Sequence, residues 1–334
     1  MKAIDLKEAL IPLIDSKVPV FIWGNPGVGK SSLVSQIAKE KDMSFIDLRL
    51  SLLDPTDLRG IPFFEKDEKK ALWAKPEFLP DTLSNNYGIL FLDEINSAPP
   101  TIQAAAYQLI LDRKIGEYIL PKNYAIVAAG NYESDRGVTY RMPTPLANRF
   151  VHLDFELDFD SWKLWAYSNN IDKRIISYLS YKSSDLFVFN PKSSQKSFAT
   201  PRSWKFVDDI LNSNINNKLL ENVISGAIGK EIASEFVNYC KVMNELPNIE
   251  DILKGNKVEI PQRNSTLYAL VIGIVYALKS DFRIDYLTNV LKFSLELSGE
   301  FAIMLIRDMQ KSNIDVESSP AWKEWVDAHR FLIS

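Results

Sequence analysis

The chain has 334 residues, of which 46% are apolar and 25% charged, and its formal net charge is -4. This composition is typical of a globular protein and excludes a disordered, collagen-like or disulfide-rich chain. The negative charge provides no overall electrostatic footprint for nucleic acid or an anionic membrane. A single cysteine, Cys240, excludes an internal disulfide. The two histidines, His152 and His329, have no spacing typical of a zinc site and are expected to be structural.

The N-terminal segment MKAIDLKEALIPLIDSK interrupts every apolar run with charged residues, so we do not expect a signal peptide. The most apolar stretch, residues 267–278, is too short to cross a bilayer and is expected to form a buried helix. We therefore expect a cytoplasmic protein with no membrane partner.

The first 155 residues alternate short apolar runs with amphipathic segments, which predicts a parallel sheet covered by helices. The pattern predicts five strands and two helices, with the strands at 18–23, 44–50, 88–93, 124–129 and 150–155 and the helices at 31–41 and 101–112. Beyond them the apolar residues recur with a helical period. Three domains are predicted: an α/β core at 1–155, a helical domain at 156–250 and a helical C-terminal extension at 251–334.

Residues 24–31 read GNPGVGKS and satisfy the phosphate-loop pattern G-x-x-x-x-G-K-[ST] between a predicted strand and a predicted helix. The glycines let the backbone wrap closely around phosphates with its N–H groups pointing inward, and the helix start adds a positive end. Lys30 is predicted to bind the terminal phosphates, and the Ser31 hydroxyl to coordinate Mg²⁺. The alternative is a glycine-rich turn that happens to end in Lys-Ser. The predicted nucleotide-binding residues are Gly24, Asn25, Pro26, Gly27, Val28, Gly29, Lys30, Ser31 and Ser32.

An acidic pair, Asp93 and Glu94, follows the apolar run 89–92. Apolar residues this dense are typical of a central parallel strand, whose carboxyl end delivers side chains to the edge where ligands bind. Asp93 is predicted to hold Mg²⁺ through a water molecule, and Glu94 to orient and deprotonate the attacking water. The alternative is an acidic pair that is merely solvated.

Five segments occur in the order GNPGVGKS, ILFLDEINSAPP, IVAAGNYESDRG, PLANRFVHLDF and FATPRSW. Together they resemble the MoxR group of AAA+ ATPases, over about residues 18–211. The resemblance implies an AAA+ P-loop NTPase core with a five-stranded parallel sheet, followed by an all-α lid and a helical C-terminal region. It also implies Mg²⁺-dependent ATP hydrolysis in a homo-oligomeric ring, expected to be a hexamer.

The resemblance assigns roles to three further residues. Asn131 matches sensor 1, which positions the attacking water; without the resemblance, Asn131 is a loop residue that tolerates an unusual backbone angle. Arg149 matches the arginine finger, which acts on the nucleotide of the neighbouring subunit, and its alternative is a surface salt bridge; Arg141 is a second candidate. Arg202 matches sensor 2 in the lid. Its neighbours Thr200 and Pro201 predict a helix start there.

Two segments, 61–76 and 113–121, are predicted to be hairpins. In related ATPases such hairpins line the central pore and contact the substrate. The alternative is a pair of solvated hairpins that cap the sheet.

The leading hypothesis is ATP-driven remodelling or maturation of a protein partner. Family members commonly work with a partner that carries a von Willebrand A domain, and such a protein is one candidate client. A nucleic-acid motor, including a GTP-using restriction-type relative, is an alternative that the acidic composition disfavours without excluding nucleic acid. A small-molecule kinase and a nucleotide-gated binding module with negligible turnover are the others. The guanine-reading motif [NT]-K-x-D is absent from the sequence, which disfavours a small GTPase but leaves the choice between ATP and GTP open.

Overall fold

The protein is described here from a computed structural model. The described residues are 1–65, 70–81, 86–135, 140, 142–193 and 195–330, without the side chains of residues 65, 70, 71, 242 and 244. The chain forms two compact units, Met1–Asp158 and Phe159–Ser334. The further division of the helical part at residue 250 stays a prediction.

The first unit contains nine strands and five helices within its described residues. The helices are α1 (Ala3–Asp15), α2 (Lys30–Glu40), α3 (Pro55–Arg59), α4 (Pro100–Asp112) and α5 (Thr144–Ala147). The strands are β1 (Val20–Trp23), β2 (Ser44–Arg49), β3 (Ile61–Glu65), β4 (Lys70–Ala74), β5 (Gly88–Asp93), β6 (Lys114–Ile115), β7 (Tyr118–Ile119), β8 (Tyr124–Gly130) and β9 (Val151–Asp154).

Five of these strands form one parallel sheet in the order β2-β5-β8-β1-β9. This confirms the predicted fold class, an AAA+ P-loop NTPase core followed by helices. The first strand is shorter than predicted: the Val18 N–H bonds to the Leu13 carbonyl at 3.0 Å, so pairing begins only at Val20. The three central strands, β5, β8 and β1, are almost wholly buried, as their dense apolar runs require.

The sheet order positions the candidate site. Strand β8 is inserted between β5 and β1, although β1 comes first in the chain. The carboxyl ends of these three parallel strands therefore lie side by side at one edge of the sheet. The segments that leave this edge begin at Glu94, Asn131 and Gly24 respectively.

Both predicted hairpins are present outside the main sheet. Strands β3 and β4 pair antiparallel from Ile61 opposite Ala74, and strands β6 and β7 pair antiparallel from Lys114 opposite Ile119. The turn of the first hairpin, residues 66–69, lies outside the described residues.

The second unit contains helices and no strand within its described residues. Its helices are α6 (Phe159–Ser168), α7 (Lys173–Tyr181), α8 (Pro201–Leu211), α9 (Asn217–Ile228), α10 (Lys230–Val242), α11 (Ile249–Leu253), α12 (Asn264–Ser280), α13 (Ile284–Ser294), α14 (Gly299–Lys311) and α15 (Trp322–Ala328). Helix α12 packs against α7 and α14, and most of its residues are buried. Within the described residues, no helix is long and apolar enough to cross a membrane.

A buried ion pair crosses this unit between α6 and α14. The Lys163 ammonium contacts the Asp308 carboxylate at 2.6 Å, and the two side chains are only 5% and 2% exposed. The Tyr167 hydroxyl donates a second hydrogen bond to Asp308, at 3.2 Å. Such a pair is stable only while each charge keeps its partners.

Candidate functional site

The phosphate loop has the backbone that its glycines were expected to provide. Gly27 and Gly29 have φ values of 78° and 102°, in the left-handed region that favours glycine. A β-carbon built on Gly29 meets no atom within 4 Å, so its requirement is for the backbone angle rather than for space. Helix α2 begins at Lys30, immediately after this turn, so the positive end of the helix faces the loop.

The other predicted loop residues line the same turn. The Val28 side chain is buried and anchors the loop, Asn25, Pro26 and Ser31 are half-buried, and Ser32 is exposed. The Asn25 amide donates a hydrogen bond of 3.1 Å to Asp135 Oδ1, which ties the loop to the segment after β8. No feature of the sequence identified Asp135, because this contact joins residues that are 110 positions apart.

Lys30 lies at the centre of the site, with only 8% of its surface exposed. Its Nζ donates to the carbonyls of Gly24 and Asn25 at 2.6 and 3.0 Å and to Asn131 Oδ1 at 2.9 Å. A buried ammonium requires such partners, because an unpaired buried charge is strongly destabilising. The structure thus brings the predicted phosphate-binding lysine and the predicted sensor asparagine into direct contact.

A second asparagine, Asn96, fixes the backbone of Asn131. Asn96 Nδ2 donates to the Asn131 carbonyl at 2.7 Å, and the Asn96 side chain is almost completely buried. A β-carbon on Gly130, the residue before Asn131, would lie 2.3 Å from Asn96 Oδ1 and 2.7 Å from Phe21 Cζ, so a larger residue there would displace Asn96 and Phe21. Asn131 itself has no positive φ, so the alternative of an asparagine chosen for an unusual backbone angle is not supported. Sequence reasoning missed Asn96, although it lies two residues after Glu94.

Asp93 ends β5 and is partly removed from water. Burial raises the pKa of its carboxyl above the ordinary range, the nearby Lys30 ammonium opposes this rise, and the charges of Asp47 and Glu94 reinforce it. The described residues contain no cluster of three or more histidine, cysteine or acidic side chains that could hold a metal ion. Magnesium suits such a site, because it is usually held by one or two carboxylates, water and substrate phosphates. Asp93 and the Ser31 hydroxyl are the protein oxygens that would hold it.

Glu94 has a backbone conformation that the sequence did not predict. Its φ is 55°, a left-handed angle that is rare for a residue with a side chain. Its amide donates to Asp93 Oδ1 at 2.9 Å. Its carboxylate accepts a hydrogen bond from the Ser51 hydroxyl and lies 3.9 Å from Arg49 Nε. Both partners come from the end of β2 and the turn after it, the neighbouring strand in the sheet.

Arg149 lies away from this group of residues. It is exposed in the turn between α5 and β9, and its amide donates to the Leu146 carbonyl at 3.1 Å. Within the part of the chain that the structure describes, its guanidinium has no hydrogen-bond or ion-pair partner. The alternative of a surface salt bridge is therefore not seen there. The second finger candidate, Arg141, lies outside the described residues.

Arg202 belongs to the second unit. Thr200 caps α8 by accepting the Ser203 amide at 3.1 Å, and Pro201 occupies the first helical position, so the predicted helix start is confirmed. Arg202 is exposed in the first turn. Its role as sensor 2 stays a prediction.

Comparison with known families identifies the segment that carries this site. A profile described as "ATPase family associated with various cellular activities (AAA)" matches residues 19–152. These residues, which include the phosphate loop, Asp93, Glu94, Asn131 and Arg149, therefore form an AAA family ATPase domain. Midasin of Giardia intestinalis is 27% identical over 173 residues, which are 48% of this chain and 4% of Midasin. The chain thus spans a small part of the length of this relative.

Three solved structures align with this chain over 85% to 98% of its residues. A candidate ATPase of Cytophaga hutchinsonii has a TM-score of 0.37 at 16% identity, over 98% of this chain and 88% of that one. Thermotoga maritima RuvB, a Holliday junction branch migration motor, has a TM-score of 0.38 at 18% identity, over 85% and 86%. NtrX of Brucella abortus in complex with ATP has a TM-score of 0.40 at 13% identity, over 93% and 68%.

Proposed function

We propose that this chain is one subunit of a ring-forming AAA+ ATPase of the MoxR type, which hydrolyses ATP with Mg²⁺ and remodels or matures a protein client. The observation that carries this proposal is the separation between Arg149 and the phosphate loop of the same chain. The carboxyl ends of β5, β8 and β1 hold the groups that bind and attack a nucleotide, whereas the arginine lies near the amino ends of β1 and β9.

The carboxyl ends of β5, β8 and β1 hold the groups that a subunit needs to bind ATP and activate water. Lys30 binds the terminal phosphates and is released from the carbonyls of Gly24 and Asn25 as it does so. Bound Mg²⁺ supplies charge neutralisation at the phosphates, with Asp93 and Ser31 as its protein partners. Glu94 takes the proton of the attacking water, and Asn131 fixes the position of that water. Arg202 reports the nucleotide state to the helical unit.

Strand register supports an action of Arg149 on a neighbouring subunit. Val151 of β9 pairs with Val20 at the start of β1, and Arg149 precedes Val151 by two residues. Gly24 lies four residues beyond Val20, roughly 13 Å further along the strand direction at about 3.3 Å per residue. That distance exceeds the reach of an arginine side chain. Because Arg149 also has no partner among the described residues, its guanidinium is available to the nucleotide of the next subunit.

The hairpin of β3 and β4 supports a protein client. It exposes four large apolar side chains, with exposed fractions of 69% for Ile61, 45% for Phe63, 65% for Phe64 and 38% for Trp73. Exposed apolar side chains grouped on one element suit an apolar polypeptide segment better than a phosphate backbone. We therefore favour a protein over a nucleic acid, with a von Willebrand A domain protein as one candidate partner.

Mixed subunits test the shared site directly. Glu94→Gln subunits lack the general base but offer Arg149, whereas Arg149→Ala subunits retain Glu94 but offer no finger. Each variant alone should lose roughly a thousandfold in ATPase rate while still binding ATP. Mixing them should restore part of the activity, because some interfaces join an intact Glu94 to an intact Arg149.

The matched control is Lys30→Ala mixed with Glu94→Gln. In this mixture every site lacks either the phosphate lysine or the base, so no activity should return. Wild-type activity per subunit should also rise with protein concentration until assembly is complete. Concentration-independent activity, together with no rescue in Arg149→Ala and Glu94→Gln mixtures that co-assemble, would contradict the shared-site model and favour a monomeric P-loop enzyme.

The client is tested separately with the Glu94→Gln protein, which should retain ATP and its partner together. Co-purification with ATP should enrich a protein that is absent when Phe63 and Phe64 are both changed to Ser. Enrichment of nucleic acid, with affinity that falls steeply as salt rises, would instead favour the nucleic-acid motor.

A further inference from the structure

An aromatic stack connects the phosphate loop to the end of β8. Trp23, the residue before Gly24, stacks on Tyr132, the residue after Asn131, with ring centroids 6.2 Å apart and planes at 14°. The Tyr132 hydroxyl donates to Asp154 Oδ1 at 3.0 Å on β9. Burial and this hydrogen bond raise the pKa of Tyr132 to about 12, so the phenol keeps the proton that it donates. The stack therefore joins the end of β1, the segment after β8 and the edge strand β9.

His152 extends this stack along β9. Trp23 Nε1 lies 2.9 Å from His152 Nδ1, and the His152 ring is also close to Phe21 and Phe150. An indole N–H can only donate, so His152 Nδ1 must be the acceptor and carry no hydrogen. In a neutral imidazole the hydrogen then resides on Nε2, which makes Nε2 a donor. Trp23 thus fixes the tautomer of His152.

His152 Nε2 donates its hydrogen to the turn that carries Arg149. His152 Nε2 lies 2.8 Å from the carbonyl oxygen of Ala147, the last residue of α5. The same carbonyl accepts the Phe150 amide at 3.2 Å, so both bonds close the turn around Arg149. The Phe150 side chain is buried and fixes the far side of this turn. Three consecutive contacts therefore run from Tyr132 through Trp23 and His152 to Ala147.

From this geometry we infer that His152 is a positioning residue for the arginine finger, which links the nucleotide site of its own subunit to the finger that the subunit offers to its neighbour. The inference rests on the proposed function, because it needs Arg149 to act in trans. Asn131 contacts Lys30 and is followed by Tyr132, so a nucleotide that displaces Lys30 from Asn131 also perturbs the base of the stack. A shift of the stack is then passed to the turn at Ala147 through the hydrogen bond between His152 Nε2 and the Ala147 carbonyl.

His152→Phe tests this role, because phenylalanine keeps an aromatic ring beside Trp23 but lacks both nitrogens. The variant should bind ATP with wild-type affinity and lose roughly 10- to 100-fold in kcat, as expected when a catalytic group is displaced by about 1 Å. Its Tm should change by only about 2 °C, since His152 is exposed on an edge strand. Val151→Thr, an exposed position on the same strand, is the matched control and should keep the wild-type rate.

Mixing variant subunits shows whether His152 acts on the neighbouring subunit's nucleotide or on the nucleotide of its own subunit. A His152→Phe subunit retains Glu94 and its phosphate loop, so it should become active beside a Glu94→Gln subunit with an intact finger. The activity of the mixture should exceed the mean of the two separate proteins. Trp23→Phe, which removes the indole N–H and part of the ring area stacked on Tyr132, should behave in the same way. The double variant should be no slower than the slower single variant.

The outcomes distinguish this inference from the function on which it rests. If Arg149→Ala is rescued by Glu94→Gln but His152→Phe and Trp23→Phe are not, His152 does not act through the finger and the inference is wrong. If none of the mixtures is rescued, the shared site itself is wrong, and the inference fails with it. Wild-type kcat in correctly folded His152→Phe would overturn the inference alone.

Discussion

Lys30 Nζ donates a hydrogen bond of 2.9 Å to Asn131 Oδ1, which joins the phosphate loop to the end of the neighbouring strand β8. The two residues are 101 positions apart in the sequence. Asn131 is therefore in direct contact with the group proposed to bind the terminal phosphates. It lies where it can respond to a nucleotide as soon as Lys30 moves.

Asn131→Ala should keep ATP binding and lower kcat by roughly 100-fold, the usual effect of removing one oriented polar group from a reacting centre. The cradle of Gly24 to Ser31 is untouched, so affinity measured by calorimetry should change little. Asn256→Ala, at an exposed asparagine of the second unit, is the control and should match the wild type. A variant that lost ATP affinity but kept kcat would assign Asn131 to ground-state binding instead.

Ser51→Ala should raise the basal ATPase rate, by up to about tenfold, because the Ser51 hydroxyl occupies the carboxylate that is proposed to act as base. The Glu94→Gln and Ser51→Ala double variant should remain inactive, which ties the gain to Glu94. The measurement is steady-state hydrolysis at saturating ATP. A fall in rate would mean that Ser51 holds Glu94 in its productive orientation.

Asp93→Asn should stabilise the nucleotide-free protein while it abolishes Mg²⁺-dependent turnover. Burial raises the pKa of Asp93, so the folded chain binds this proton more tightly than the unfolded chain does. Its contribution to stability is therefore fully present below the unfolded pKa of about 4 and is lost as the pH rises through the higher folded value. The variant should melt above the wild type at neutral pH, and the difference should shrink as the pH falls toward about 4. Equal Tm values throughout would contradict the raised pKa.

Breaking the buried ion pair of Lys163 and Asp308 should destabilise the second unit strongly, whereas replacing both residues with apolar ones should change its stability much less. Asp308→Ala should lower the free energy of unfolding by about 3–5 kcal/mol, because it leaves the Lys163 ammonium buried without its partner. Lys163→Met combined with Asp308→Leu should recover most of this loss, apart from the cost of the unpaired Tyr167 hydroxyl. Lys311→Ala removes an ion pair to the exposed Asp160 and should cost only about 0–1 kcal/mol. Denaturant unfolding measures all three.

The residues that could be predicted are those with a local signature. The glycines and Lys30 of the phosphate loop form a contiguous motif whose turn geometry only glycine permits. Asp93 and Glu94 follow a dense apolar run that is typical of a buried parallel strand. Asn131 and Arg149 were found through resemblance, and the structure brings only Asn131 into contact with Lys30.

Other parts of the site have no local signature. Ser51 and Asp135 each make one long-range hydrogen bond, and short polar side chains of this kind are common in any loop. The left-handed backbone angle of Glu94 could not be predicted either, since the sequence there favours no such angle. His152 was expected to be merely structural, because a lone histidine carries no ligand spacing.

The sequence by itself determined the local chemistry of this protein, because backbone angles, helix starts and buried strands depend on residues that are neighbours in the chain. It determined the phosphate loop, the carboxylates at the end of β5 and the five parallel strands. Only the tertiary structure decided that β8 lies between β5 and β1, which brings Asn131 to Lys30. Strand register also decided that Arg149 lies near the amino ends of β1 and β9, whereas the phosphate loop of the same chain begins at the carboxyl end of β1. Such relations arise from hydrogen bonds between segments far apart in the sequence, and no local pattern encodes them.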